Sequence, residues 1–254
     1  MEWALRSGLY CARGLVERGE ARDGLTFTLN VGDVTVDATI EDESTKLCLN
    51  RIMNEDGETD ETIEPALRSL FSDRLGPEDG RALMDQVRDW IDSDSAGAYE
   101  PGAPNRRFLL LDELAQLPAC RPDVLYREND GLSRFVTVWT DGKVNVNAAP
   151  EPVLRSLFPH LDEDTLAALL QRRELRPLAE LHELESITGT LLGGLPRKVT
   201  FSSNTFKVNL VGRADPALKK AEAVIGIIGD EEPRAHVLMW RTWWPREDQD
   251  APPQ

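Results

Sequence analysis

The sequence contains no long apolar run. It has no stretch of about 18 consecutive apolar residues, and its start lacks the basic segment and apolar centre of a signal peptide. We therefore expect the chain as given to be soluble. Its 254 residues are 41% apolar, which is enough for one large domain or two interlocked domains without a metal or disulfide to stabilise them.

Cysteine is scarce. Cys11, Cys48 and Cys120 are widely spaced and form no Cys-x-x-Cys pair, which excludes a zinc knuckle and a thioredoxin-like motif. Three cysteines cannot all pair within one chain. Buried free thiols are the favoured interpretation, and a Cys11–Cys48 bridge in an oxidising compartment is the alternative.

Catalytic signatures are missing as well. The sequence has no Gly-x-Ser-x-Gly, no His-Glu-x-x-His, no phosphate-binding loop and no Gly-x-Gly-x-x-Gly. Its histidines, His160, His182 and His236, are far apart. We therefore predict that the protein is not an enzyme and has no catalytic residues.

The charge balance disfavours nucleic acid as a partner. The formal net charge is −16, and the acidic residues are spread along most of the chain. Affinity for phosphates comes mainly from clustered Lys and Arg, so a strongly anionic chain is repelled.

Helical and strand periodicities alternate along the chain. A first amphipathic helix is predicted from Leu5, Leu9, Ala12 and Val16. Apolar and polar residues then alternate from 25 to 40 on both sides of Gly32-Asp33, which predicts a two-residue β-hairpin. Further strand patterns appear near the end of the chain, at 206–210, 223–228 and 236–240.

Helical periodicity prevails in the middle of the chain. Helices are predicted behind Gly76-Pro77, after Ala149-Pro150 and after a capping Asp162. One strand pair is expected there, at 135–139 and 143–146. We therefore predict an α+β fold in which a helix packs on an antiparallel sheet and a large, mostly α-helical domain is inserted between strands.

These patterns also predict domain boundaries. Residues 1–41 and 200–245 form the α/β core, and residues 42–199 form the insert. The polar, Pro-containing segment 246–254 is predicted to be a disordered tail.

Two acidic segments are candidates for a hard cation such as calcium. Residues 54–61 are rich in carboxylates, and residues 92–97 resemble the first half of a calcium loop. The second segment has Ala103 where such a loop needs a bidentate carboxylate. Solvated turns are the favoured interpretation, so calcium stays possible and its ligands unknown.

Residues 143–185 are similar to a helix-hairpin-helix module. Such modules often bind DNA backbones, which makes a DNA-binding protein the alternative function. In this sequence the hairpin is PHLDED, which offers acids where a phosphate binder offers glycines and free N–H groups. A structural role for the module is therefore favoured.

Four ordered motifs resemble a known family. The stretches DESTKLCLN, DWIDSDS, NRRFLLLDEL and KVNVNAAPEPVL begin at residues 42, 89, 105 and 143. They resemble, in the same order, the signature stretches of pseudopilin K of the general secretion pathway, a minor pseudopilin of type II secretion systems. A minor pilin of a related type IV pilus system is the alternative within this group.

The resemblance implies a pilin-like helix on an antiparallel sheet with a helical insert, as the periodicities also predict. It implies a non-catalytic subunit at the tip of the periplasmic pseudopilus, with pseudopilins H, I and J as partners, that takes part in protein export across the outer membrane. Family members begin with a leader and an apolar helix anchored in the inner membrane. We therefore expect this chain to be a soluble periplasmic fragment whose first helix is the lower half of the pilin spine.

The resemblance also suggests which residues bind partners. The apolar stripe Trp3, Leu5, Leu9 and Val16 is predicted to dock partly on partner helices and partly on the chain's own sheet. For Leu9 and Val16, packing within the chain is the favoured alternative. Some family members bind calcium near their final strands, but the corresponding stretch here has few carboxylates, so those ligands are not carried over.

Overall fold

The fold consists of two compact units. The computed structural model describes residues 1–54, 57–93, 97, 99, 103–189, 198–229 and 232–245. Unit 1 comprises residues 1–43 and the described residues from Ser203 onward, and unit 2 comprises Ser44–Ser202. The segment predicted to be a disordered tail, 246–254, lies outside the described residues.

Unit 1 is one helix packed on an antiparallel sheet. The helix is α1 (Glu2–Glu17), and the strands are β1 (Leu25–Val31), β2 (Val34–Asp42), β7 (Thr205–Ala214), β8 (Ala217–Ile228) and β9 (Arg234–Trp243). Within the described residues they pair antiparallel in the order β1-β2-β7-β8-β9. The predicted α+β fold is confirmed.

The first hairpin forms where the alternation predicts it. Val31 pairs with Val34 across Gly32-Asp33, and the pairing continues to Leu25 opposite Ile40. Gly32 has a φ of +61°, a left-handed conformation that glycine adopts without steric cost. Every second residue of β2 is buried, so one face of this strand faces the core.

The core of unit 1 lies between α1 and the sheet. Leu5, Ala12 and Val16 of the helix pack with Ile40 and Val208 of the strands, and all five are at most 2% exposed. Gly8 allows the close approach, because a Cβ at this position would lie 2.6 Å from the Leu210 side chain. Each fully buried aliphatic side chain contributes about 2 kcal/mol to the packing.

Unit 2 is mostly helical. Its helices are α2 (Ile63–Leu75), α3 (Pro77–Ile91), α4 (Pro122–Leu125), α5 (Glu151–Leu157), α6 (Glu163–Leu175) and α7 (Leu181–Thr188). Its strands are β3 (Leu47–Cys48), β4 (Val136–Thr137), β5 (Val144–Asn145) and β6 (Val199–Thr200). The elements enclose a second core, in which Phe71, Leu83 and Phe158 are at most 1% exposed.

The starts of three helices of unit 2 match their sequence signals. α3 begins at Pro77 directly after Gly76, and α5 begins after Pro150. α6 is capped by Asp162, whose carboxylate accepts a hydrogen bond from the Thr165 N–H at 2.8 Å. These three predictions are confirmed.

The strand pair predicted at 135–139 and 143–146 is wrong. β4 pairs in parallel with β3, and β5 pairs in parallel with β6. The two predicted strands therefore bind different, distant segments instead of each other. Each is only two residues long, so its partner is fixed by the packing of unit 2 and not by the local turn.

Two asparagines in the recognised motifs connect distant loops of unit 2. The Asn50 side chain donates to the carbonyls of Phe108 and Val138, each at 2.9 Å, and accepts from the Phe108 N–H at 2.8 Å. The Asn147 side chain donates to the carbonyls of Leu178 and Phe201 and accepts from the Leu178 N–H. An amide has both donors and an acceptor, so it can satisfy two segments at once.

Candidate partner-binding surface

Helix α1 has one face in the core and one face in solvent. Three of the four residues predicted to bind partners pack in the core of unit 1. They are Leu5, Leu9 and Val16, which are 0%, 7% and 2% exposed. Trp3, the fourth residue of that set, is 54% exposed. The structure therefore separates Trp3 from the other three.

The exposed face of α1 carries a regular stripe, which we call the outer stripe. It consists of Trp3, Ser7, Tyr10, Gly14 and Glu17, at steps of four, three, four and three residues. Residues at these steps lie on one side of a helix. Tyr10 is 65% exposed, and it was not among the residues predicted from the sequence to bind partners. Its position seven residues after Trp3, on the same side of the helix, is the signal that could have identified it.

Ion pairs flank the outer stripe. Arg13 contacts Glu17 at 3.0 Å and Arg6 contacts Glu2 at 3.5 Å, both four residues apart on exposed surface. Glu2 also accepts from the Lys219 ammonium at 2.6 Å, and this bond holds the pKa of Glu2 below its usual value. Exposed pairs of this kind contribute only about 0.3–0.5 kcal/mol each, so they orient side chains more than they stabilise the helix.

The three cysteines are free thiols. Cys11 is exposed on α1, whereas Cys48 and Cys120 are buried. Burial raises the pKa of both buried thiols, that of Cys120 to about 12. The alternative Cys11–Cys48 bridge is not formed, and the prediction of buried free thiols holds for two of the three.

No metal centre is evident among the described residues. They contain no group of three or more His, Cys, Asp or Glu side chains placed to hold an ion. In the first acidic segment, Asn54 accepts from the Glu58 N–H at 2.9 Å, which closes a tight turn. Residues 55, 56 and 94–96 of the two acidic segments lie outside the described residues.

The helix-hairpin-helix segment has its anion-binding position occupied. A phosphate would bind the N–H groups at the start of α6, but the Asp162 carboxylate caps that end. Glu163 and Asp164 add two further acids in the first turn. The geometry therefore opposes the DNA-binding alternative for this hairpin.

A lysine within the sheet of unit 1 is surrounded by acids. The Lys207 ammonium lies 2.8 Å from Glu41, and its side chain is 17% exposed. Burial alone lowers the pKa of Lys207, but Glu43 and Glu41 outweigh this effect and raise it. The same Glu41 carboxylate accepts from the Asn209 amide at 2.6 Å.

Replacing Lys207 with an apolar residue removes a positive charge from among the acids that surround it. We expect Lys207→Met to lower the free energy of unfolding of unit 1 by about 2 kcal/mol, because the partly buried Glu41 carboxylate loses the Lys207 ammonium and keeps only uncompensated charge at that contact. Because the pKa of Lys207 is raised, its contribution to the free energy of unfolding is fully present below about pH 10. This contribution is lost as the pH rises further. Urea unfolding at pH 7 measures the loss. The exposed Lys143→Met is the control, and equal effects of both changes would contradict the prediction.

One comparison with known proteins gives a family match, over part of the chain. A model of the family described as type II secretion system protein K matches residues 144–200. The search of curated proteins found no significant match. None of the described helices is long and apolar enough to cross a bilayer.

The fold of the whole chain also matches a solved structure. The crystal structure of the GspK-GspI-GspJ complex from the enterotoxigenic Escherichia coli type 2 secretion system contains a chain that matches with a TM-score of 0.67. The match covers 96% of this chain and 95% of that chain, at 14% sequence identity. At this identity the match establishes the fold, and the family match covers the segment around β5 to β6. The matched family is the one that the sequence motifs resemble, and its model covers less than half of the chain.

Proposed function

We propose that the protein is a minor pseudopilin that acts by assembly and not by catalysis. In this role it joins pseudopilins I, J and H at the tip of a type II secretion pseudopilus and takes part in protein export across the outer membrane. The observation that carries the proposal is the whole-chain structural match to a chain of the GspK-GspI-GspJ complex. The family match over residues 144–200 supports it independently of the fold.

The proposal includes a location. In the full-length protein an apolar helix before α1 anchors the chain in the bacterial inner membrane, and the two units lie in the periplasm. The family resemblance supports this arrangement. The unbridged thiols Cys48 and Cys120 are compatible with an oxidising compartment, because both are buried and their raised pKa values keep them protonated.

The outer stripe of α1 is the surface that we assign to partner helices. Trp3 and Tyr10 supply large aromatic side chains, and Ser7 and Gly14 between them allow a second helix to approach closely. Leu5, Leu9 and Val16 act indirectly, because they fix the orientation of α1 on the sheet. This division of roles supports helix-to-helix assembly without unfolding of the core.

The assembly is tested by mixing. The chain is combined with the soluble domains of pseudopilins I and J from the same organism, and size-exclusion chromatography with light scattering measures the mass. We expect a stable ternary complex. Separate elution of all three proteins at tens of micromolar would overturn the proposed function.

The outer stripe is tested in the same assay. We expect Tyr10→Ala to weaken the complex about tenfold or more, since a buried tyrosine at an interface contributes about 1.4 kcal/mol or more. Circular dichroism checks the fold, which should not change because Tyr10 is 65% exposed. The control is Leu175→Ala, which removes another exposed apolar side chain, in unit 2. Equal affinities of both variants would show that the partners bind elsewhere.

A further inference from the structure

Three exposed tryptophans lie along one end of the sheet of unit 1. Trp3, Trp243 and Trp244 are 54%, 38% and 59% exposed, and we call them the tryptophan rim. Tryptophan has a large apolar ring, so exposure of three of the six in the chain has a substantial free-energy cost in water. An apolar environment at this end of the sheet would remove that cost.

The strand register brings these residues to the same end. The Trp3 ring lies over the β1–β2 turn, since a Cβ at Gly32 would be 3.4 Å from it. Trp243 pairs with Lys220 close to the β7–β8 turn, and Trp244 follows it. The bond from Lys219 to Glu2 joins the start of α1 to the same end.

Cations next to the rim are already paired with acids. The Lys219 ammonium lies 5.4 Å from the centre of the Trp244 ring and also contacts Glu2. The Arg241 guanidinium lies 5.4 Å from the centre of the Trp243 ring and 3.0 Å from Glu222. These two cations are therefore already paired with acids, and the rings are the main binding groups of the rim.

The arrangement of the rings distinguishes between possible occupants. Aromatic residues that dominate protein interfaces cluster in a packed central pocket. Here the rings are spread around one end of the sheet, from the β1–β2 turn to the end of β9, with Trp243 and Trp244 on opposite faces. Exposed indoles around one end, each with an apolar ring and a polar N–H group, suit the boundary between lipid and water.

We propose that the tryptophan rim rests in the interfacial region of a phospholipid bilayer. The inference rests on the proposed function, in which a membrane helix precedes α1 and holds this end of unit 1 close to the bilayer. Tethering makes the local lipid concentration high, so a modest affinity of three indoles is sufficient. The contact holds the unassembled subunit against the membrane surface.

The test uses the chain attached to vesicles through an N-terminal histidine tag and a nickel-chelating lipid. The vesicles contain phosphatidylcholine, either unmodified or brominated next to the headgroup, and bromine quenches indoles that touch it. We expect quenching to lower the tryptophan emission by up to about half, since three of the six tryptophans contact lipid. In the variant Trp3→Phe/Trp243→Phe/Trp244→Phe, the remaining emission should be unquenched. An unquenched native chain would overturn the inference.

A second measurement tests the binding itself. Imidazole releases the tag, and its half-release concentration reports how strongly the protein holds the vesicle. Trp243→Ser/Trp244→Ser should be released at a lower concentration than the native chain. The control Leu109→Ser/Leu175→Ser, which removes two exposed apolar side chains of unit 2, should be released like the native chain. Equal release of all three proteins would also overturn the inference.

Two further outcomes separate other occupants. Quenching that requires phosphatidylglycerol would overturn the account based on the rings, because it would indicate recognition of anionic headgroups. Self-association that depends on Trp243 and Trp244, seen by light scattering without vesicles, would assign the rim to a second copy of the chain. The vesicle assay contains no partner and the assembly assay contains no lipid, so failure of one leaves the other result standing.

Discussion

Asn50→Ala is expected to lower the free energy of unfolding of unit 2 by about 3 kcal/mol. Asn50 is 8% exposed and makes three hydrogen bonds to the backbone of Phe108 and Val138. Alanine leaves two buried carbonyls and one buried N–H without these partners, and each unsatisfied group costs about 1–3 kcal/mol before relaxation. Urea unfolding followed by circular dichroism measures the change, with the curve fitted to two steps because the chain has two units.

Two other variants identify the cause of this loss. Asn50→Asp keeps an acceptor for the Phe108 N–H but turns a carboxylate oxygen toward two carbonyls, so it should be at least as destabilising. Asn30→Ala removes an exposed asparagine that accepts only from Thr35 in the part of the chain described, and it should cost less than about 0.5 kcal/mol. If Asn50→Ala behaved like Asn30→Ala, the three bonds would not stabilise unit 2.

The largest steric effect is expected for Gly80→Ala in α3. A Cβ at Gly80 would lie 2.5 Å from the Ser72 nitrogen and 2.6 Å from the Phe71 carbonyl carbon, both in the backbone of α2. Backbone atoms cannot rotate away, so α2 and α3 must move apart and loosen the core around Phe71. We expect a loss of about 2–4 kcal/mol in the free energy of unfolding, measured by urea unfolding of unit 2.

A second helical glycine provides the matched control. The same change in α1, Gly14→Ala, meets only the flexible end of Arg18 at 3.2 Å. Alanine is the better helix former, so Gly14→Ala should stabilise α1 by up to about 1 kcal/mol. A stabilising Gly80→Ala would mean that α2 and α3 are not packed as closely as these distances require.

Local patterns were sufficient for the elements whose partners are adjacent in sequence. The β1–β2 hairpin follows from alternation and Gly32-Asp33, and the start of α6 follows from Asp162. They were insufficient for β4 and β5, because two-residue strands carry almost no periodicity and bind segments more than 50 residues away. The stretch from 135 to 146 has the composition of a hairpin, but long-range packing decided its pairing.

The partner surface shows a similar limit. Periodicity identified an apolar stripe on α1, but it cannot say whether Leu5 and Leu9 face the chain's own sheet or a partner. The sheet buries both, and the outer stripe with Tyr10 is what remains exposed. The bonds of Asn50 and Asn147 were not predicted from the sequence, since the groups that they bind are 31 to 88 residues away.

The neighbouring positions of β2 and β7 in the sheet determine when the sheet can form. Asp42 pairs with Phe206, although 163 residues separate them in sequence. Closing so long a loop is slow and entropically costly for an unstructured chain, whereas a folded insert acts as a short, preformed link. During synthesis the β1–β2 hairpin must therefore wait for unit 2 to be made, with one edge of β2 open to wrong pairing. We therefore expect the insert to fold first and the sheet last, so that the helical insert assists the folding of the sheet that it interrupts.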